Sequence, residues 1–237
     1  MSSAAGSWRR DLFDPLAWWL SRRELGRLMR RARELEEVVD ATEAYQGRGH
    51  YARIPAVQRR PEILGLAERL RELSPRVIVE IGTFKGGTLF VFCRVAPEIR
   101  RVVSIDLPGG DYGGGFDARR QRLYRQFLAD RREARMDFLR ADSHAPETLE
   151  ALEGLLGHAP IDFLYIDGDH TYDGVRRDFE LYGPLVRRGG MIAFHDIRTH
   201  DPGYGVPAFW NEVKGSYEHE ELLDPESTNM GIGILHP

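Results

Sequence analysis

One cysteine, Cys93, stands among 237 residues. No intramolecular disulfide can form, so the chain does not need an oxidising compartment. Cys93 follows Phe90-Val91-Phe92 and reads as a small core hydrophobe. Long apolar runs are also missing. The most apolar N-terminal piece, Leu16-Ala17-Trp18-Trp19-Leu20, falls far short of the ~20 residues of a membrane helix, and arginines flank it. No apolar segment follows a basic start as in a secretory signal, so the expected location is the cytoplasm. Charge of one sign does not dominate: 33 basic residues face 37 acidic ones, a net charge of −4. Residues 1–60 hold 12 arginines against 8 carboxylates, which leaves 21 against 29 for the rest. That balance speaks against nucleic acid as a partner, which calls for a strongly basic domain. With 42% hydrophobic and 30% charged residues the chain is of ordinary globular composition and can bury a core.

The period of the apolar residues changes near residue 60. From about Pro15 to Tyr45, Leu25, Leu28, Met29, Ala32, Leu35 and Val39 recur at helical spacing. Ser21 and Glu24 have the spacing of a capping box. Residues 1–7 are small and polar and read as disordered. Residues 1–60 are therefore expected to form a helical extension, as a lid or dimer contact, with 61–237 as the main domain. Pro61 opens a helix that Pro75 stops. Short apolar runs then alternate with helical segments. Strands are expected at 77–81, 102–105, about 136–140, 161–166 and 191–194. Helices are expected at about 87–96, 118–130, 146–156, 172–187 and 207–214. Two closing strands, about 217–223 and 230–235, flank the turn residues Asp224-Pro225-Glu226-Ser227 and Asn229. The expected fold is α/β: a Rossmann-like, seven-stranded, mostly parallel sheet flanked by helices, its last two strands an antiparallel pair.

Ligands of such sheets bind beyond the carboxyl ends of the strands. The first strand ends in Glu80-Ile81-Gly82-Thr83-Phe84-Lys85-Gly86-Gly87-Thr88. Its glycines allow a tight turn, and the next helix offers free N–H groups. It is neither a dinucleotide fingerprint nor a P-loop. The second strand ends in Asp106, placed to accept hydrogen bonds from ribose hydroxyls. The third ends in Asp142-Ser143-His144, the fourth in Asp167-Gly168-Asp169-His170, and the fifth in His195-Asp196. Capping of the following helix is the alternative for each strand end taken singly, and Asp142 and Ser143 fit it as well as they fit a site. Four successive acidic strand ends beside a glycine turn point to a site.

These residues resemble the class I S-adenosylmethionine-dependent methyltransferases through the E-x-G-x-x-x-G turn at 80–86, Asp106 and Asp142. The segments 80–88, 104–110, 166–172 and 194–196 resemble a narrower group. It holds cephalosporin-hydroxylase-like proteins and O-methyltransferases of macrolide, aminocoumarin and rhamnosyl sugars. The resemblance covers about residues 60–237. It implies S-adenosylmethionine as cofactor. Glu80 and Gly82 would lie at its methionine part, Asp106 at the ribose, and Asp142 and Ser143 at the adenine, with Thr83, Gly86 and Asp167 the other cofactor-binding residues. Asp167 would stand at the catalytic end of the fourth strand. Metal-dependent relatives bind a divalent ion, Mg²⁺ or Mn²⁺, through an Asp here and an acidic pair after the fifth strand. The matching residues are Asp167, His195 and Asp196. The histidine departs from the family pattern, and nitrogen favours softer ions than Mg²⁺.

The implied reaction is methyl transfer to a hydroxyl of a small molecule, with a sugar of a glycosylated natural product or glycan as acceptor. Such a hydroxyl needs a positioned base, and the candidates are His170, Asp169 and His195. A metal would instead lower the hydroxyl's pKa. The alternative is a cofactor-binding partner protein without its own catalysis. A nicotinamide oxidoreductase would need the missing fingerprint. Tyr112, Phe116, Tyr204, Phe209 and Trp210 are candidates for the walls of an acceptor pocket. His50, with Arg48 and Arg53, is placed to reach over the site. Trp18-Trp19 suits packing or dimerisation, and assembly into a homo-oligomer is expected.

Overall fold

The computed structural model describes residues 14–108, 116 and 118–237. Residues 1–7, Tyr112 and the Gly109-Gly110 pair lie outside them. Two helices, α1 (Asp14–Arg31) and α2 (Leu35–Ala44), precede α3 (Arg60–Leu73). The single helix expected over 15–45 is thus broken at 32–34, where Glu37 accepts hydrogen bonds from the backbone N–H groups of Arg33 and Glu34. The expected box at Ser21 and Glu24 lies mid-helix instead. Ser21 Oγ accepts from Arg48 N at 2.8 Å, and Glu24 accepts from the N–H groups of Gln46 and Gly47. Both side chains fasten the connector that follows α2.

Then come β1 (Val77–Ile81), α4 (Gly87–Val95), β2 (Arg101–Ile105), a short α5 (Gln121–Tyr124) between 3-10 turns, β3 (Arg135–Leu139), α6 (Pro146–Leu156), β4 (Ile161–Ile166), α7 (Tyr172–Tyr182), β5 (Val186–His195), α8 (Val206–Val213), β6 (Glu218–Leu222) and β7 (Ile232–His236). The sheet order is β3-β2-β1-β4-β5-β7-β6. The first five strands run parallel, and β7 pairs antiparallel with both β5 and β6. The expected helix over 172–187 ends at Tyr182, because Pro184 has no N–H to extend it, and β5 starts early at Val186.

Two cores cover the sheet. One joins Trp18, Leu25, Val38, Tyr45, Tyr51 and Leu66 to α4 and the sheet, so residues 14–60 pack into the same core as the strands. Cys93 is buried there. The other core lies under α6, α7 and α8. It holds Phe209 and Trp210, which are core residues and not pocket walls. Phe116 likewise packs on Tyr124 and Phe138. Trp18 packs edge-on against Tyr51, while Trp19 is exposed. Among the described residues no helix is long and apolar enough to cross a membrane.

Candidate active site

The chain runs outward from β1 through β2 to β3, then crosses back to place β4 on the other side of β1. Ligand clefts open at such a reversal. Here a cleft of about 600 Å³ lies over the ends of β1, β2 and β4, within the usual range for small-molecule sites.

The β1–α4 turn forms its floor. Gly82 has φ +84°, and a side chain there would meet the backbone oxygen of Asp167 at 1.9 Å. Only glycine lets the ends of β1 and β4 come so close. Gly86 also lies in the left-handed region, against the ring of Tyr124. It shapes the start of α4 from behind and does not line the cleft; Gly82, Thr83 and Thr88 do. Glu80 does not reach the cleft either. It is fully buried, and its carboxyl accepts from Thr83 Oγ1 at 2.7 Å and Thr88 Oγ1 at 2.5 Å. Burial pushes its pKa up to about 8, against the pull of the two hydroxyls. As the penultimate residue of β1, Glu80 points its side chain under the turn and braces it through Thr83 and Thr88.

Asp106 lines the cleft and holds the turn as well. Its Oδ2 accepts from the backbone N–H groups of Thr83 (3.2 Å) and Phe84 (2.9 Å). Asp142, Ser143 and His144 line the end beyond β3. Asp142 Oδ1 accepts from His144 N at 2.9 Å in a turn ahead of α6, whose N-cap is Ala145 with no side-chain cap, so neither Asp142 nor Ser143 caps that helix.

Beyond β4 and β5 four side chains close a ring. His170 Nε2 lies 3.3 Å from both Asp167 Oδ1 and Asp196 Oδ2. His195 Nδ1 lies 3.2 Å and 3.3 Å from the same two oxygens. Burial opposes charge on Asp167, His170 and His195. The mutual attraction nevertheless raises both histidines and lowers Asp167. Both histidines line the cleft; His195 is the more buried, and His170 stacks on Tyr204 at 4.8 Å between ring centres. Asp167, His170 and Asp196 each offer one ligand atom, all within 4.8 Å of one another. The group that could hold a cation therefore has His170 where the family pattern suggests His195. Asp169 is exposed and lines the cleft too, and its Oδ1 accepts from Thr171 N just before α7.

The connector contributes residues that no sequence signal singles out. Pro55, Val57 and Gln58 line the cleft, and Gln58 Nε2 donates to Asp167 Oδ2 at 3.2 Å. His50, Arg48 and Arg53 do not line it. His50 pairs with Arg119, and Arg120 binds the carbonyls of His50, Ala52 and Arg53 on the far side of the connector. Thr199, Asp201, Asn229 and Met230 complete the open side with Tyr204. No periodicity marks these loop residues.

Fold and cleft define a doubly wound α/β protein with a cleft at its switch point, the place where such sheets take their ligands. The chain belongs to the methyltransferase-domain family, which matches residues 79–197. It is 26% identical over 167 residues to the rhamnosyl O-methyltransferase of Mycobacterium bovis, covering 65% of this chain and 62% of that protein. An uncharacterised Sinorhizobium fredii protein is 30% identical over 145 residues, 60% of this chain and 15% of its own length. The chain thus spans less than two thirds of the curated relatives it matches. Among solved structures, a TDP-rhamnose 3′-O-methyltransferase of calicheamicin biosynthesis superposes with a TM-score of 0.56 at 20% identity, over 91% of this chain and 92% of that one. A Bacillus cereus O-methyltransferase bound to S-adenosylhomocysteine gives 0.55 at 19%, over 86% and 90%. At these identities the structures establish the shared fold.

Proposed function

We propose that the chain is an S-adenosylmethionine-dependent O-methyltransferase acting on a hydroxyl of a small molecule, with a sugar, rhamnose-like in stereochemistry, as the acceptor. The observation that carries this is the joining of two sites in one cleft: a cofactor floor of Gly82, Thr83 and Asp106, and the Asp167–His170–Asp196 group at its open side. The rhamnosyl relative and the TDP-rhamnose enzyme support the acceptor class.

The cofactor's ribose diol would donate to the carboxylate of Asp106, which accepts from several donors at once while its Oδ2 holds the turn. Its adenine would lie against Asp142 and Ser143, and its methionine part over Gly82 and beside Gln58. Methyl transfer is an in-line displacement at the sulfonium carbon, so the acceptor oxygen must be held at ~3 Å opposite the leaving sulfur. Tyr204, Asn229 and Met230 face that side. The hydroxyl proton passes to the imidazole of His170, whose Nε2–H Asp167 and Asp196 hold in place. Two carboxylates and one imidazole also suit a divalent ion of the Mn²⁺ type. Held by Asp167, His170 and Asp196, such an ion would orient a diol and lower the pKa of its hydroxyl.

Calorimetric titration of the metal-stripped protein with S-adenosylhomocysteine, repeated with Mg²⁺ and with Mn²⁺, tests the reading. One-to-one binding is expected, followed by methylation of rhamnosides in an acceptor screen. No binding under any condition would overturn it. Binding without methylation of any acceptor would favour the partner-protein alternative.

A further inference from the structure

Asp178 sits on α7 behind the cleft and is completely buried. Among the described residues, neither of its carboxylate oxygens has a hydrogen-bond partner, and neither does Nε2 of His144. The two groups face each other, with His144 Nε2 3.4 Å from Asp178 Oδ1. An unpaired carboxylate in such a place is costly, so the imidazole serves as its counter-charge. One helical turn further along α7, Tyr182 donates its hydroxyl to the carbonyl oxygen of Ser143 at 2.5 Å. A single helix therefore grips two consecutive residues of the loop after β3. Both of those residues, and Asp142 before them, line the cleft.

We propose that Asp178 is a positioning residue for cofactor binding: through His144, and together with Tyr182 on Ser143, it fixes the 142–144 loop that receives the cofactor's adenine. This rests on the methyltransferase reading above. His144 is faced by Asp178 from α7, by Asp142 of its own loop at 3.9 Å, and by Asp169 from the segment after β4. The carboxylate of Asp178 raises the imidazole's pKa most; burial opposes it, and Asp142 and Asp169 add to the rise. A group raised in this way contributes below its folded pKa and stops doing so as pH climbs through it. Loss of the proton leaves Asp178 without a counter-charge and releases the loop.

The test is calorimetry of the full chain with S-adenosylhomocysteine and with adenosine, from pH 6 to 9. The proteins are wild type, Asp178→Asn, His144→Gln and the double variant. Each single variant is expected to bind both ligands about tenfold more weakly at pH 6. Because the residues act as a pair, the double variant is expected to bind no more weakly than the worse single one. The wild-type affinity falls with rising pH. His144→Gln loses that step, and Asp178→Asn moves it to lower pH. Variants that bind within twofold of wild type with an unchanged pH profile overturn the inference, as do losses that add in the double variant. Equal weakening for adenosine, which lacks the amino-acid part, assigns the effect to the adenine end; weakening confined to S-adenosylhomocysteine overturns that assignment. Should Asp178→Asn fail to fold, His144→Gln carries the same test, since its side chain is part-exposed. Failure of the wild type to bind S-adenosylhomocysteine removes the functional reading itself, whereas wild-type binding with indifferent variants removes this inference alone.

Discussion

Replacing Glu80 by glutamine separates its structural role from any role toward the cofactor. The carboxyl is fully buried, and its two oxygens accept from the hydroxyls of Thr83 and Thr88. Burial raises its pKa from 4.5 to about 8. Between those values the folded chain holds a proton that the unfolded chain has released, so stability falls as pH rises across that window. At about 1.4 kcal/mol per unit, the loss is on the order of 4–5 kcal/mol by pH 8. The amide of the Glu80→Gln variant carries no such slope, and its NH₂ can donate to a threonine hydroxyl oxygen. Urea denaturation at pH 5, 6, 7 and 8 measures the difference. Wild type should lose stability relative to Glu80→Gln at each step, and the variant should be the more stable one near pH 8. Glu80→Ala, which leaves both hydroxyls unmet above a cavity, should lose roughly 2–4 kcal/mol at pH 6. S-adenosylhomocysteine affinity of Glu80→Gln at pH 6 should stay within a few-fold of wild type. Parallel pH profiles for wild type and Glu80→Gln would refute the raised pKa. A hundredfold loss of cofactor affinity would refute the bracing role.

Asp106→Ala removes both the ribose acceptor and the support of the Thr83 and Phe84 amides, so calorimetry should detect no S-adenosylhomocysteine binding; unchanged affinity would exclude Asp106 from the site. His170→Ala should bind S-adenosylhomocysteine as wild type does while turnover falls about 10²–10⁴-fold, and normal turnover would remove it from the mechanism. Gly82→Ala should lose more than about 3 kcal/mol in thermal or urea denaturation, because its Cβ would lie 1.9 Å from the Asp167 carbonyl oxygen at a positive φ. Gln58→Leu should weaken S-adenosylhomocysteine binding several-fold without large loss of stability, as read by calorimetry and melting; an unchanged Kd would exclude the connector from the cofactor site.

The sheet is legible because its strands carry their own signal. Val77–Ile81 and Ile161–Ile166 are buried on both faces and read as short apolar runs bounded by breakers. The ends of β2, β3 and β4 then locate Asp106, Asp142 and Asp167 in the cleft. Boundaries fail where local and tertiary demands compete. The Leu25–Val39 periodicity continues in phase across the break at 32–34, and only the Glu37 contacts reveal the break. Ser21 and Glu24 have capping-box spacing but serve backbone groups more than twenty residues away.

Side-chain direction sets the boundary between what can be read and what cannot. Alternation along a strand assigns Glu80 to one face or the other, but not to the cleft or the space beneath it. The bonds to Thr83 and Thr88 decide that. The same holds at the far ends of β4 and β5. His170 and His195 are both candidates by position, and both touch the same two carboxylate oxygens. They differ in exposure: both line the cleft, but His195 is the last residue of a central strand and lies buried, whereas His170 sits on the loop before α7 with its ring against Tyr204. A base or a ligand must meet the incoming hydroxyl, so in the proposed reaction the more open residue on the loop acts on the acceptor and the residue on the strand orients the carboxylates. That division of labour follows from how the chain leaves each strand.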